Sequence, residues 1–155
     1  MCCDGVMFDI VRLQPGESPK AFAALGLKVK RRRGESHCVQ PCAAHRDSQC
    51  AIYASRPERC RVFECRQLQR VASGKITEAQ ARKKIADAVQ RIAEVNALLA
   101  RVGGDNAKRA LTQRCATALA DPNAAEMRDE IAGAKAKLDA LLEQDFRIAP
   151  ADPQP

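Results

Sequence analysis

The chain has 155 residues, a net charge of +7 and a sequence pI near 9.2. That length suits one domain, or one small domain with a helical appendage. Apolar residues make up 46% but aromatics only 3%, with no Trp, so a core has to come from aliphatic residues and cysteines, and there is little on which nucleic-acid bases could stack.

The charge is spread along the chain, with +4 in residues 1–65 and +3 in the remainder. No apolar run reaches the ~20 residues of a membrane-spanning helix, and the opening Met1-Cys2-Cys3-Asp4-Gly5 has neither the basic nor the apolar region of a secretory signal. We therefore expect a cytoplasmic protein without a membrane span, in a compartment that keeps thiols reduced.

Val6, Phe8 and Ile10 alternate with Met7 and Asp9, and Val11 and Leu13 follow. This is the pattern of a short strand. Ser18-Pro19 reads as the N-cap and first residue of a short helix that ends at Gly26. Lys28, Lys30, Arg31, Arg32 and Arg33 form a basic run ending at Gly34. It reads first as a solvated loop, with contact to nucleic acid or an acidic partner as the functional alternative. Pro41 and Pro57 interrupt any helix through the next segment, which places its cysteines on loops and short turns around a common point.

Residues 73–147 are richer in Ala, Leu, Lys and Arg and carry helical periodicity. Thr77-Glu78-Ala79-Gln80 has the form of a capping box. Ile85, Val89, Ile92, Leu99 and Val102 then recur at helical spacing, and Gly103-Gly104 ends the helix. Asp105 can cap a second helix with Leu111, Cys115, Ala118 and Leu119 on one face. Asp121-Pro122 opens a last helix with Met127, Ile131, Ala134, Leu138 and Leu141 as its stripe. Short connections imply antiparallel neighbours. The expected fold is mainly α with little β. Residues 1–72 form an irregular cysteine-rich metal-binding region, residues 73–147 an antiparallel helical hairpin or bundle, and residues 148–155 a disordered tail.

Seven of the eight cysteines, Cys2, Cys3, Cys38, Cys42, Cys50, Cys60 and Cys65, lie in the first 65 residues. The eighth, Cys115, lies on an apolar helix face and reads as a core residue. A loop-rich segment with few apolar residues cannot absorb so many thiols as packing, and a bound metal would supply the missing folding energy. Disulfides could do the same in an oxidising compartment. The intervals are neither the paired knuckles of zinc fingers nor the runs of ferredoxins, so spacing leaves the metal unassigned. His37 and His45 are candidate nitrogen ligands that the cysteine count does not require. Arg56, Arg59, Arg61 and Arg66 flank Cys60 and Cys65. Their guanidinium groups, Arg56 and Arg61 foremost, are expected to offset thiolate charge and lower thiol pKa values.

The segments "MCCDGVMF", "QPCAA" and "CAIYASRPERCRVFEC" resemble the YkgJ-type cysteine-cluster family, described as a zinc- or iron-chelating domain. The resemblance covers about residues 2–65. It is most specific from Cys50 to Cys65, where Ile52, Tyr53, Arg56, Pro57, Cys60, Arg61, Phe63 and Cys65 coincide with the family pattern. It implies Cys2, Cys3, Cys42, Cys50, Cys60 and Cys65 as ligand candidates for zinc or iron, including a [4Fe–4S] cluster. It implies Tyr53, Arg56, Pro57, Arg61 and Phe63 as the residues that shape the surrounding turn. Cys38 matches no family cysteine. Of the family's opening CxxCxxCC group only the terminal pair, Cys2-Cys3, is present.

Some larger proteins with this cluster are flagellin lysine N-methylases. This chain shows no Gly-rich cofactor fingerprint and no catalytic set legible in sequence. The expected function is a small metal-binding protein whose C-terminal helices serve as scaffold or partner surface. An iron–sulfur redox or protein-methylation accessory enzyme is the first alternative, and a zinc-stapled basic nucleic-acid-binding module the last.

Overall fold

The computed structural model describes residues 1–104 and 106–148, which are mainly helical with two small antiparallel sheets. The chain divides into two units. The first holds Met1–Phe63 and residues 106–117, the second Glu64–Gly104 and residues 118–148. The change of composition at residues 72–73 does not coincide with this division. The cap expected at Asp105 and the tail beyond Ile148 lie outside the described residues.

In the first unit, β1 (Ile10–Arg12), β2 (Val29–Arg32) and β3 (Glu35–Val39) form a sheet in the order β1-β3-β2. Val11 lies opposite Cys38, and Lys30 opposite His37. The strand expected from Val6 begins only at Ile10, because Gly5 (φ +78°) turns the chain and the Val6 N–H donates to the Asp4 carboxylate. The basic run is not a loop. Lys30, Arg31 and Arg32 sit in β2, and a two-residue turn at Arg33 (φ 50°) and Gly34 (φ 84°) returns the chain into β3. Two successive positive φ values suit the right-handed twist of a hairpin.

Between the first two strands, α1 (Pro19–Ala24) is capped by Ser18, whose side chain accepts from the Ala21 N–H, and ends before Gly26 (φ 85°) as expected. A second hairpin, β4 (His45–Arg46) and β5 (Gln49–Cys50), turns through Asp47 and Ser48. A 3-10 turn (Tyr53–Ser55) leads to α2 (Glu58–Val62). The core of the unit is small: Phe22, Leu27, Cys38 and Ala44, with Val11, Leu13, Val29, Cys42 and Ile52 packed around it.

Gly5 also locks the N-terminal turn to residues 106–117. Its carbonyl accepts from the Leu111 N–H at 3.0 Å, and a Cβ there would stand 2.9 Å from the Ala110 Cα. Gly5→Ala combines a strained φ with a backbone clash, and is expected to cost on the order of 2 kcal/mol. Thermal unfolding should show it as a Tm lowered by several degrees; an unchanged Tm would contradict this packing.

In the second unit, α3 (Arg66–Ala72) precedes α4 (Glu78–Arg101), which starts at the expected capping box of Thr77 and Gln80. The first-unit helix segment from Leu111 begins α5 (Leu111–Ala120), and a 3-10 segment capped by Asp121 leads into α6 (Arg128–Asp145). α4 packs against α6. Arg101 pairs with Glu130 at 3.6 Å, and Lys84 with Asp145 at 3.0 Å. The buried stripe of α4 is Ala81, Ala88, Val95 and Leu99, whereas Ile85 and Val89 are exposed. Leu99 is buried as expected, but in the N-terminal half of α4 the alanines Ala81 and Ala88, not Ile85 and Val89, take the close-packed face. Ile131 and Leu138 are buried on α6 as their spacing indicates; Leu142 rather than the expected Leu141 continues the buried face, with Phe146 just beyond the helix. Asp145 is buried between Arg70 and Lys84, so its carboxylate is offset by two cations.

Candidate metal centre

Four cysteines from four separate stretches of the first unit are brought within reach of one another's charge: Cys3, Cys42, Cys50 and Cys60. Backbone bonds explain why. The Cys42 N–H donates to the Cys3 carbonyl at 2.7 Å, and the Met7 N–H to the Met1 carbonyl at 3.2 Å. Cys42 also accepts from the His45 N–H at 3.0 Å, at the start of the hairpin that carries Cys50 opposite His45. Cys60 sits in the short helix α2, where its N–H donates to the Pro57 carbonyl.

α2 is itself anchored by Glu17. One carboxylate oxygen of Glu17 accepts from the Gln14 N–H at 2.6 Å, and the other from the Glu58 N–H at 2.8 Å. Pro57 donates no N–H and α2 has no side-chain N-cap of its own, so the distant carboxylate does that work. Glu17→Ala is expected to cost about 1–2 kcal/mol. Hydrogen exchange should show faster opening of the Glu58 amide and of α2. Unaltered protection there would remove Glu17 from this role.

The thiols are not ready-made thiolates. Burial pushes Cys60 from its ordinary value of 9.0 up to about 12, with further repulsion from Cys3, Cys42, Cys38 and Cys50. Burial likewise raises Cys3, reinforced by Cys42 and Cys50. Cys38, buried in β3, rises to about 11 through burial, then Cys42 and Glu17. The lowering by arginine expected from the sequence does not govern these groups. Arg56 instead stacks its guanidinium over the Tyr53 ring, 3.7 Å from the centroid. Its Nε is buried without a hydrogen-bond partner. Arg61 is exposed.

The other residues implied by the resemblance have clear places. Pro57 is buried, and Tyr53 is two-thirds exposed under Arg56. Phe63 packs edge-to-face on Phe8, with ring centroids 5.0 Å apart. Cys2 turns its Sγ toward the Met7 thioether at 3.9 Å. Cys65 falls in the second unit, half-buried at the N-terminus of α3, and is not one of the four coupled thiols. Cys115 is buried on α5, as its apolar face indicates. His37 is buried in β3, and His45 is half-buried in β4.

Gly5, Met7 and Glu17 support this site through contacts that no local motif announces. Gly5 stands two residues after the Cys2-Cys3 pair, and the partner of Glu17 lies 41 residues away.

Among the described residues, no three His, Cys, Asp or Glu side chains converge closely enough to hold a metal ion. The four thiols are thus gathered but not closed to ligand distance. No family model matches the chain, and neither a curated protein nor a solved structure matches it.

Proposed function

We propose that this chain is a small metal-binding protein whose first unit takes zinc or iron on cysteine thiolates. Cys3, Cys42, Cys50 and Cys60 are the set we assign first, with Cys2 and Cys65 as the further candidates implied by the YkgJ-type resemblance. The observation that carries this reading is the gathering of cysteines from separate segments: the Cys42 N–H bonds the Cys3 carbonyl, and the hairpin beside it sets Cys50 opposite His45. In a unit with so small a core, a cation that replaces the protons of gathered thiols would add folding energy.

The donor chemistry suits either metal: four sulfurs satisfy a structural zinc or an iron–sulfur cluster. Binding requires the side chains to close in from their present spacing. The backbone bond from Cys42 to Cys3 holds two of these segments together. The arginine stacked on Tyr53 and the Phe8–Phe63 pair hold the turn around Cys60. The ion pairs at both ends of α4 and α6 support an antiparallel helical pair as scaffold or partner surface. The reading places the protein in the cytoplasm, where its thiols stay reduced.

Metal analysis and an absorption spectrum of anaerobically purified protein test this. About one zinc per chain in a colourless solution is the outcome for a structural site. Iron with sulfide and a broad charge-transfer band would move the assignment to an iron–sulfur accessory enzyme. Protein that neither carries nor takes up either metal would end the proposal.

A further inference from the structure

We propose that the open edge of β2 is a docking strand for an extended acidic peptide, which adds to the sheet beside Val29–Arg32. In the order β1-β3-β2, β2 is an edge. The Val39 N–H donates to the Lys28 carbonyl, and Lys30 and Arg32 lie two and four residues on, opposite His37 and Glu35. In an antiparallel ladder these residues bond inward to β3, so Val29 and Arg31 turn their N–H and C=O groups to the open side. No backbone hydrogen bond among the described residues takes those groups up.

Charge decides the partner. Lys28, Lys30 and Arg32 are exposed and, two residues apart, share one face of the strand. Val29 faces the other way and packs on the core with Phe22 and Cys38. The sequence holds no Asp or Glu from Ser18 to Gly34, and the one acid of the hairpin, Glu35, pairs with Arg12. A strand laid along this edge therefore meets cations at every second position on its solvent side. Acidic residues at alternate positions complement them, with apolar residues between. A second copy of β2 would set lysine against lysine, so its own charge rejects self-pairing. Nucleic acid fits less well: phosphates use the cations but not the backbone groups of the edge, and the hairpin offers no aromatic for a base. This inference is independent of the metal reading.

The test uses the whole protein and a fluorescein-labelled peptide of alternating Glu and Val. Two analogues are N-methylated, one on the amides that would pair with β2 and one on the opposite edge. Fluorescence anisotropy should show the unmodified and outer-edge peptides binding alike. The inner-edge analogue should bind about tenfold more weakly or worse, and so should the protein variant carrying K30E and R32E. The amides of Val29 and Arg31 should gain hydrogen-exchange protection on binding. Equal binding of both analogues, no gain in protection, no binding of the peptide, or complete displacement by an equally charged single-stranded oligonucleotide would overturn the proposal.

Discussion

Cys60→Ser is expected to lower the metal affinity of the first unit sharply. The Cys60 thiol is raised by burial and by neighbouring Cys3, Cys42, Cys38 and Cys50. Losing one thiolate of four should weaken binding by about a hundredfold or more, since a structural zinc contributes ~10–16 kcal/mol shared among its ligands. The same change should soften the first unit, whose core holds only Phe22, Leu27, Cys38 and Ala44 with their half-buried neighbours.

Cys115→Ser is the control. That side chain is buried on α5, so the substitution should leave metal content unchanged. Cys65→Ser should lower metal content less than Cys60→Ser, because Cys65 stands at the start of α3, outside the coupled set. Metal analysis of the three purified variants decides this. Equal losses in Cys60→Ser and Cys115→Ser would refute the assignment.

The second large effect is on pH. Cys60 at about 12, Cys38 at about 11 and a raised Cys3 are all protonated at neutral pH. A metal binds the thiolate, so each ligand has to give up its proton on binding. With four thiol ligands, the logarithm of zinc affinity should rise by up to about four per pH unit near pH 7. Calorimetry in two buffers of different ionisation enthalpy measures the protons released. Release of fewer than two per zinc would contradict buried thiol ligands.

The metal-free fold should respond in the opposite sense. A raised thiol pKa means that the folded state holds protons which the unfolded chain releases near the ordinary value of 9.0. Stability is then full below about pH 9 and declines as pH rises toward 11–12. Denaturant unfolding of metal-free protein at pH 7.5 and pH 10 tests this. A higher midpoint at pH 10 would show that the thiols are not held neutral by the fold.

Much of the helical framework was legible because its signals are local. Ser18 before Pro19, the Thr77–Gln80 capping box and Asp121 before Pro122 each fix a helix start through bonds spanning two or three residues. The face of α4 was misread because Ile85 and Val89 outweigh alanine in hydrophobicity, while close helix packing selected Ala81 and Ala88. The β2–β3 hairpin was missed because five cations in six residues read as solvated chain. The strand is specified by its partner, Glu35–Val39, and by a turn in which Arg33 takes a positive φ.

At the site, the cysteines themselves stood out by number. Their gathering depends on the Cys42–Cys3 backbone bond, on Gly5 against Ala110 and on Glu17 reaching Glu58. Each of these joins residues at least 39 positions apart, where no pattern in the sequence could register them. The arginines show the reverse case: adjacency in sequence suggested charge compensation, but Arg56 is engaged with Tyr53.

The central claim is that thiolates from separate segments of the first unit close on one metal, and X-ray absorption at the edge of the bound metal tests it most directly. Zinc-loaded protein should show about four sulfur scatterers at ~2.3 Å, falling to about three with one lighter atom in Cys60→Ser. A shell dominated by nitrogen or oxygen, or one identical in the variant, would contradict it.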